Sequence, residues 1–180
     1  ISANLIASAG HCLRDKKKVN EYYVVFDYRL ENMPKFTSTG IPDNLVYEIT
    51  QILENPRGDA DYSVSRVNKP IPSSRVVQTS ASNHFSDQTN FYVLGFPCGL
   101  PMKYTNESSL RSDKNKNFFV IDSDTYGGNS GSPVFNSTTN LVEGILVRGN
   151  DDFYVQTGSP CNTSIICGHN DCRGEDVTRI

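Results

Sequence analysis

The chain lacks any apolar run near the ~20 residues that a membrane-spanning helix requires. It lacks a positive excess as well: 17 Lys and Arg against 20 Asp and Glu leave a formal charge of −3. That balance excludes the basic footprint on which nucleic-acid binding depends. Arg14-Asp15-Lys16-Lys17-Lys18 is the one basic cluster and reads as a solvated loop. No signal peptide is visible. No stretch holds a 3.6-residue apolar period over three turns, which argues against long amphipathic helices.

What is present is a series of short β-branched and aromatic runs punctuated by Gly, Pro, Asn and Asp. Tyr23–Phe26, Leu45–Ile49, Phe91–Leu94, Phe118–Ile121 and Leu141–Val147 are examples. Such spacing predicts an all-β fold, sandwich or barrel. At 180 residues the chain holds one domain or two small ones. The polar stretch from Asn68 to Asn90, broken by Pro70 and Pro72, reads as a linker between halves.

Three segments carry chemistry. Gly128-Asn129-Ser130-Gly131-Ser132-Pro133 sets a serine between glycines on a turn, preceded by Gly127. A serine hydroxyl attacks only when a neighbouring base removes its proton. It also needs backbone N–H groups aimed at the developing oxyanion, and small flanking residues permit that approach. Ile6-Ala7-Ser8-Ala9-Gly10-His11-Cys12 delivers a histidine at the end of an apolar strand. Histidine suits a base because its ordinary pKa of about 6.5 lies near neutrality. Asp61-Tyr62-Ser63-Val64 places an aspartate at the head of an alternating strand, with Tyr62, Val64 and Val67 set against Ser63, Ser65 and Arg66. Asp59, two residues away, is the weaker alternative, and His84 and His169 lack a strand end with small neighbours.

The order His11, Asp61, Ser130 is that of the chymotrypsin-like arrangement. Ala9-Gly10-His11-Cys12, Asp61-Tyr62-Ser63-Val64 and Gly128–Phe135 each resemble boxes of the chymotrypsin/trypsin-like serine protease family. The last is similar to its bacterial and glutamyl-endopeptidase branch. Gln51–Pro56 and Tyr92–Pro97 resemble supporting segments of the same family, so the likeness spans most of the chain.

The resemblance implies two antiparallel β-barrels, about residues 1–75 and 76–180. The first would lack leading strands, because the chain opens inside the strand that carries the histidine. It implies a secreted, extracellular or periplasmic endopeptidase with no cofactor and no metal, acting on polypeptides and open to proteinaceous inhibitors. His11 would be the base, Asp61 its orienting partner and Ser130 the nucleophile, with the Gly128 and Ser130 amides as oxyanion hole. Asp124, six residues before the nucleophile, would lie at the floor of the specificity pocket, as in trypsins, with Thr125, Leu146, Arg148 and Gly149 around it. Leu146 falls where glutamyl endopeptidases carry a histidine, and Arg148 would pair with Asp124 or receive an acidic substrate. Glu175 or Asp176 would add negative charge, and the expectation is cleavage after Arg or Lys. Asn129 departs from the trypsins, whose aspartate there pairs with a freed N-terminal ammonium.

Five cysteines leave one over. By resemblance Cys12 pairs upstream of this chain and is the orphan, so Cys98, Cys161, Cys167 and Cys172 allow three pairings. Cys161, Cys167 and Cys172 with His169 offer a zinc reading, but at no recognised spacing, and disulfides in an oxidising compartment fit better. Three sequons, at Asn106, Asn136 and Asn162, are compatible with secretion. A catalytically inactive homologue acting as a binding module is the alternative function. A serine esterase or another hydrolase on a different fold is a third reading; Ser132, standing where the α/β-hydrolase elbow needs glycine, and the triad order argue against it.

Overall fold

The computed structural model describes residues 3–37, 40–81, 84–158, 160–167 and 171–180. Among these, the regular structure is β-strand and short 3-10 turns. Four strands form the first sheet: β1 (Leu5–Ser8), β2 (Tyr23–Val25), β3 (Val46–Glu54) and β4 (Ser63–Val67). They pair antiparallel in the order β1-β4-β3-β2, a curled half-barrel.

The second unit uses β5 (Asn90–Gly95), β6 (Lys103–Ser112), β7 (Phe118–Ile121), β8 (Pro133–Asn136), β9 (Val142–Arg148) and β12 (Glu175–Arg179). These close into a six-stranded barrel, β12-β7-β6-β5-β8-β9. A separate ribbon pairs β10 (Phe153–Val155) with β11 (Asn162–Ser164). The fold is therefore the two-barrel chymotrypsin-like architecture, with the first barrel truncated.

Alternation along the strands decides what each face buries. In β5, Phe91 and Val93 turn inward to meet Phe119, Ile121, Val134, Leu146 and Val177. In the half-barrel Tyr47, Ile49 and Val67 pack with Leu13 and Ile71. Every residue of β9 but the last is buried, because the strand is covered on both faces. Leu146 enters the barrel core, while Ile145 and Val147 pack against Ala9 of the half-barrel, with Ala7 and Tyr62 around them. This third cluster joins the two units, at about 1.5–3 kcal/mol for each fully buried Val or Ile side chain.

Two strands depart from their sequence pattern. In β4 the fully buried face is Ser63, Ser65 and Val67, and Val64 is only partly covered, which corrects the grouping of Val64 with Val67. The pleat places two serines inward. β6 is mostly polar, with Leu110 packed on the barrel core, and carries Glu107 in the left-handed region (φ 60°), where the β5–β6 ladder shifts register.

Candidate active site

β1 ends at Ser8, and a single 3-10 turn over Gly10–Cys12 carries His11 to the seam between the units. Asp61, 5 % exposed, comes from the turn that opens β4. Its two oxygens are both used by one residue: Oδ1 accepts from the His11 backbone N–H at 2.9 Å, and Oδ2 lies 2.6 Å from His11 Nδ1. The bidentate grip explains Gly10. A Cβ there would stand 2.7 Å from Asp61 Oδ1 and 2.5 Å from the Pro56 carbonyl oxygen. Asp59 is exposed on the preceding turn.

Asp61 is held from the second barrel. Thr178 Oγ1 donates to the Asp61 carbonyl oxygen at 3.2 Å, a fully buried contact from β12. Arg148, at the end of β9, donates from Nη1 to the Gly58 carbonyl oxygen at 2.8 Å and from Nε to Asp176 Oδ2 at 2.8 Å. Asp176 is completely buried and also binds Arg173.

Ser130 sits on the turn before β8. Gly128 and Gly131 take φ of +95° and +93°, a region open to glycine and costly to other residues. The turn is fixed by Gly131 N–H donating to the Leu146 carbonyl at 2.8 Å and Leu146 N–H donating to that of Ser132 at 2.9 Å. Gly131 is packed against Ser8, so a side chain there would push the units apart. Cys12 Sγ lies 3.6 Å from the Ser130 carbonyl oxygen, which brings the turn next to the histidine segment. Burial pushes the Cys12 thiol pKa up, with a hydrogen bond to Ser8 opposing. The Ser130 hydroxyl donates to the Val147 carbonyl oxygen at 3.3 Å rather than to His11.

Ahead of the turn, the Cys98 N–H donates to the Gly127 carbonyl oxygen at 2.7 Å, and the Gly127 N–H donates to Asp152 Oδ2 at 2.5 Å. Both bonds orient the peptide leading into Gly128. Asn129, 5 % exposed, packs its amide on Gly95 and faces Ser132.

A cleft of about 250 Å³ opens beside this loop. Among the described residues its walls carry Asp122, Asp124, Asp151, Asp152 and Glu175 against a single arginine, Arg111. Arg111 donates to the Cys172 carbonyl oxygen. Asp124 is exposed on the wall, Thr125 is buried beside it, and the Glu175 carboxylate lies over Gly149. Burial raises the Glu175 pKa from the ordinary carboxylate range to about 7; Thr125 opposes this by hydrogen bonding, while Asp152 and Asp176 add to it.

The trypsin-like peptidase domain model matches residues 1–145. The chain belongs to that family. No curated protein sequence matches the chain. Among solved structures it is similar to a Glu endopeptidase in complex with MPD, at TM-score 0.64 and 14 % identity, over 99 % of this chain and 76 % of that one. It is also similar to kallikrein-related peptidase 10 in complex with Zn2+, at TM-score 0.61 and 13 % identity, over 100 % of this chain and 81 % of that one. At such identities the likeness is one of fold.

Within this trypsin-like peptidase domain some expected pocket residues lie elsewhere. Leu146 does not line the cleft, because the pleat of β9 turns it into the barrel core. Arg148 pairs with neither Asp124 nor the cleft; Asp176 and the Gly58 carbonyl take its donors, and its guanidinium lies over the Phe118 ring. Cys167 and Cys172 form a disulfide along the cleft wall, and Cys12 and Cys98 carry free thiols. His169 lies outside the described residues, and among the described ones no His/Cys/Asp/Glu cluster has metal-binding geometry. His84 lines a separate surface cavity with Asp113 and Arg179. Thr178 and Asp176 were not legible as supports of the Asp61 segment, since only the pairing of β12 with β9 and β7 brings them there.

Proposed function

We propose that the protein is a serine endopeptidase that hydrolyses peptide bonds through an acyl-enzyme, with His11, Asp61 and Ser130 as its triad. The observation that carries this reading is the 2.6 Å contact of His11 Nδ1 with the buried Asp61 carboxylate, at the seam where the Ser130 turn is pinned. Asp61 fixes the tautomer that bears its proton on Nδ1, leaving Nε2 as acceptor. The reaction requires the Ser130 hydroxyl to leave the Val147 carbonyl oxygen, its acceptor in this structure, and turn its proton toward that nitrogen.

Ser130 Oγ then bonds to the scissile carbonyl carbon while its proton passes to His11 Nε2. The oxyanion is received by the N–H groups of Gly128 and Ser130, each such donor being worth about 10²–10³ in turnover. Collapse breaks the C–N bond, and the imidazolium returns its proton to the leaving amine. Water, deprotonated by the same base, cleaves the ester and restores Ser130.

The cleft supports cleavage after Arg or Lys. Among the described residues five carboxylates outnumber one arginine, so a cationic side chain meets attraction there and an acidic one repulsion. The Cys167–Cys172 disulfide favours an oxidising, extracellular or periplasmic setting. The competing reading, an inactive homologue used as a binding module, draws on the Ser130–Val147 hydrogen bond. A peptide-library cleavage profile separates the two: defined scissions after Arg or Lys support the peptidase, cleavage after Glu overturns its specificity, and no cleavage favours the module.

A further inference from the structure

Glu175 stands apart from the other carboxylates of the cleft. Gly174 (φ +87°) turns the chain into β12, and Glu175 pairs with Ile121 of β7 at the strand's first position. The side chain then crosses to the backbone of Gly149, where any Cβ would collide with both carboxylate oxygens. It is half-buried, whereas Asp124 is exposed on the wall.

The charged groups facing it come from every wall. Asp122 and Asp124 belong to the segment after β7, Asp151 and Asp152 to the segment after β9, and Arg111 to β6. Arg173 and Asp176 flank it on its own segment. Arg148 and Arg173 are paired with Asp176, and Arg111 donates to the Cys172 carbonyl. Asp122 is bound to the N–H and hydroxyl of Ser109, and Asp152 to the Gly127 N–H. Glu175 is thus a partly desolvated carboxyl among like charges, with no ion pair to another described residue, in a cavity open to a guest.

We propose that Glu175 selects the substrate side chain by its protonation state: ionised, it pairs with Arg or Lys, and protonated, it accepts a neutral hydrogen-bonding side chain such as Gln. This deepens the peptidase reading and rests on it. Desolvation and neighbouring carboxylates hold the group protonated up to about pH 7 in the empty cleft. A cationic guest supplies the missing countercharge, so binding of Arg or Lys is coupled to loss of one proton below that pH.

Two fluorogenic peptides that differ only in Arg or Gln before the scissile bond provide the test. The ratio of their kcat/KM values cancels any pH dependence of the catalytic steps that both peptides share. The ratio is expected to rise about tenfold per pH unit from about pH 5.5 to 8, because the two peptides take opposite protonation states of one carboxyl. It should be flat in Glu175→Gln and keep its slope in Asp124→Asn. A flat wild-type ratio overturns the proposal, as does a slope lost in Asp124→Asn but kept in Glu175→Gln. Calorimetric binding of benzamidine to the Ser130→Ala protein reads the same group without catalysis. Affinity that rises with pH, with proton release at pH 6 absent in Glu175→Gln, supports the selector even if neither peptide is cut. Cut peptides with pH-independent benzamidine binding overturn the selector and leave the peptidase reading standing.

Discussion

Asp61 spends both carboxylate oxygens on His11, one on its backbone N–H at 2.9 Å and one on Nδ1 at 2.6 Å. The grip fixes the ring's position and its tautomer together. Asp61→Asn keeps the shape but offers an amide N–H to one of these partners, and turnover should fall about 10⁴-fold with little change in KM. Steady-state kinetics on an Arg-containing peptide check this; a loss below tenfold would remove Asp61 from its role.

The same grip makes Gly10 a steric requirement. In Gly10→Ala the new Cβ meets the Pro56 carbonyl oxygen, Asn55 Oδ1 and Asp61 Oδ1, all within 2.7 Å. Backbone atoms yield poorly, so we expect a loss of about 1–3 kcal/mol in stability together with loss of activity. Denaturant unfolding and kinetics on one sample test whether the two losses appear together.

Thr178 ties β12 to the Asp61 segment across the seam. Thr178→Val removes the donor and leaves the Asp61 carbonyl without it, at about 1 kcal/mol or somewhat more. The diagnostic readout is kcat falling while KM holds, since Thr178 acts through Asp61. A purely structural role would lower the melting temperature alone.

Glu175 makes stability depend on pH in a stated direction. Its folded pKa, about 7, lies above the ordinary carboxylate value of 4.5, so the folded state binds the proton more tightly than the unfolded chain. Its contribution is fully present below about pH 4.5 and is lost as pH rises to about 7. Melting temperatures of Glu175→Gln should converge with wild type at low pH and lie above it past pH 7. The opposite ordering would mean that Glu175 is paired in the folded protein.

Much of this site was legible in three short segments. His11, Asp61 and Ser130 stood out because small residues flank them, and Gly10, Gly128 and Gly131 prove to be places where a side chain would collide or strain the backbone. The strands β5, β7 and β9 were readable because alternation or continuous apolarity marks them. β6 was not, because its residues are mostly polar and its place comes from pairing with β5 and β7. Leu146 and Arg148 were misplaced for a related reason. Spacing from the nucleophile sets their position along β9, but the pleat and the partner Asp176, far along the chain, decide which way each faces.

The central claim is that Ser130 is a nucleophile activated by His11. Labelling with a fluorophosphonate, followed by peptide mapping, tests it most directly. One equivalent of label is expected on Ser130, absent in Ser130→Ala and greatly slowed in His11→Ala. Label on another residue, or labelling of Ser130 at an unchanged rate in His11→Ala, would contradict it.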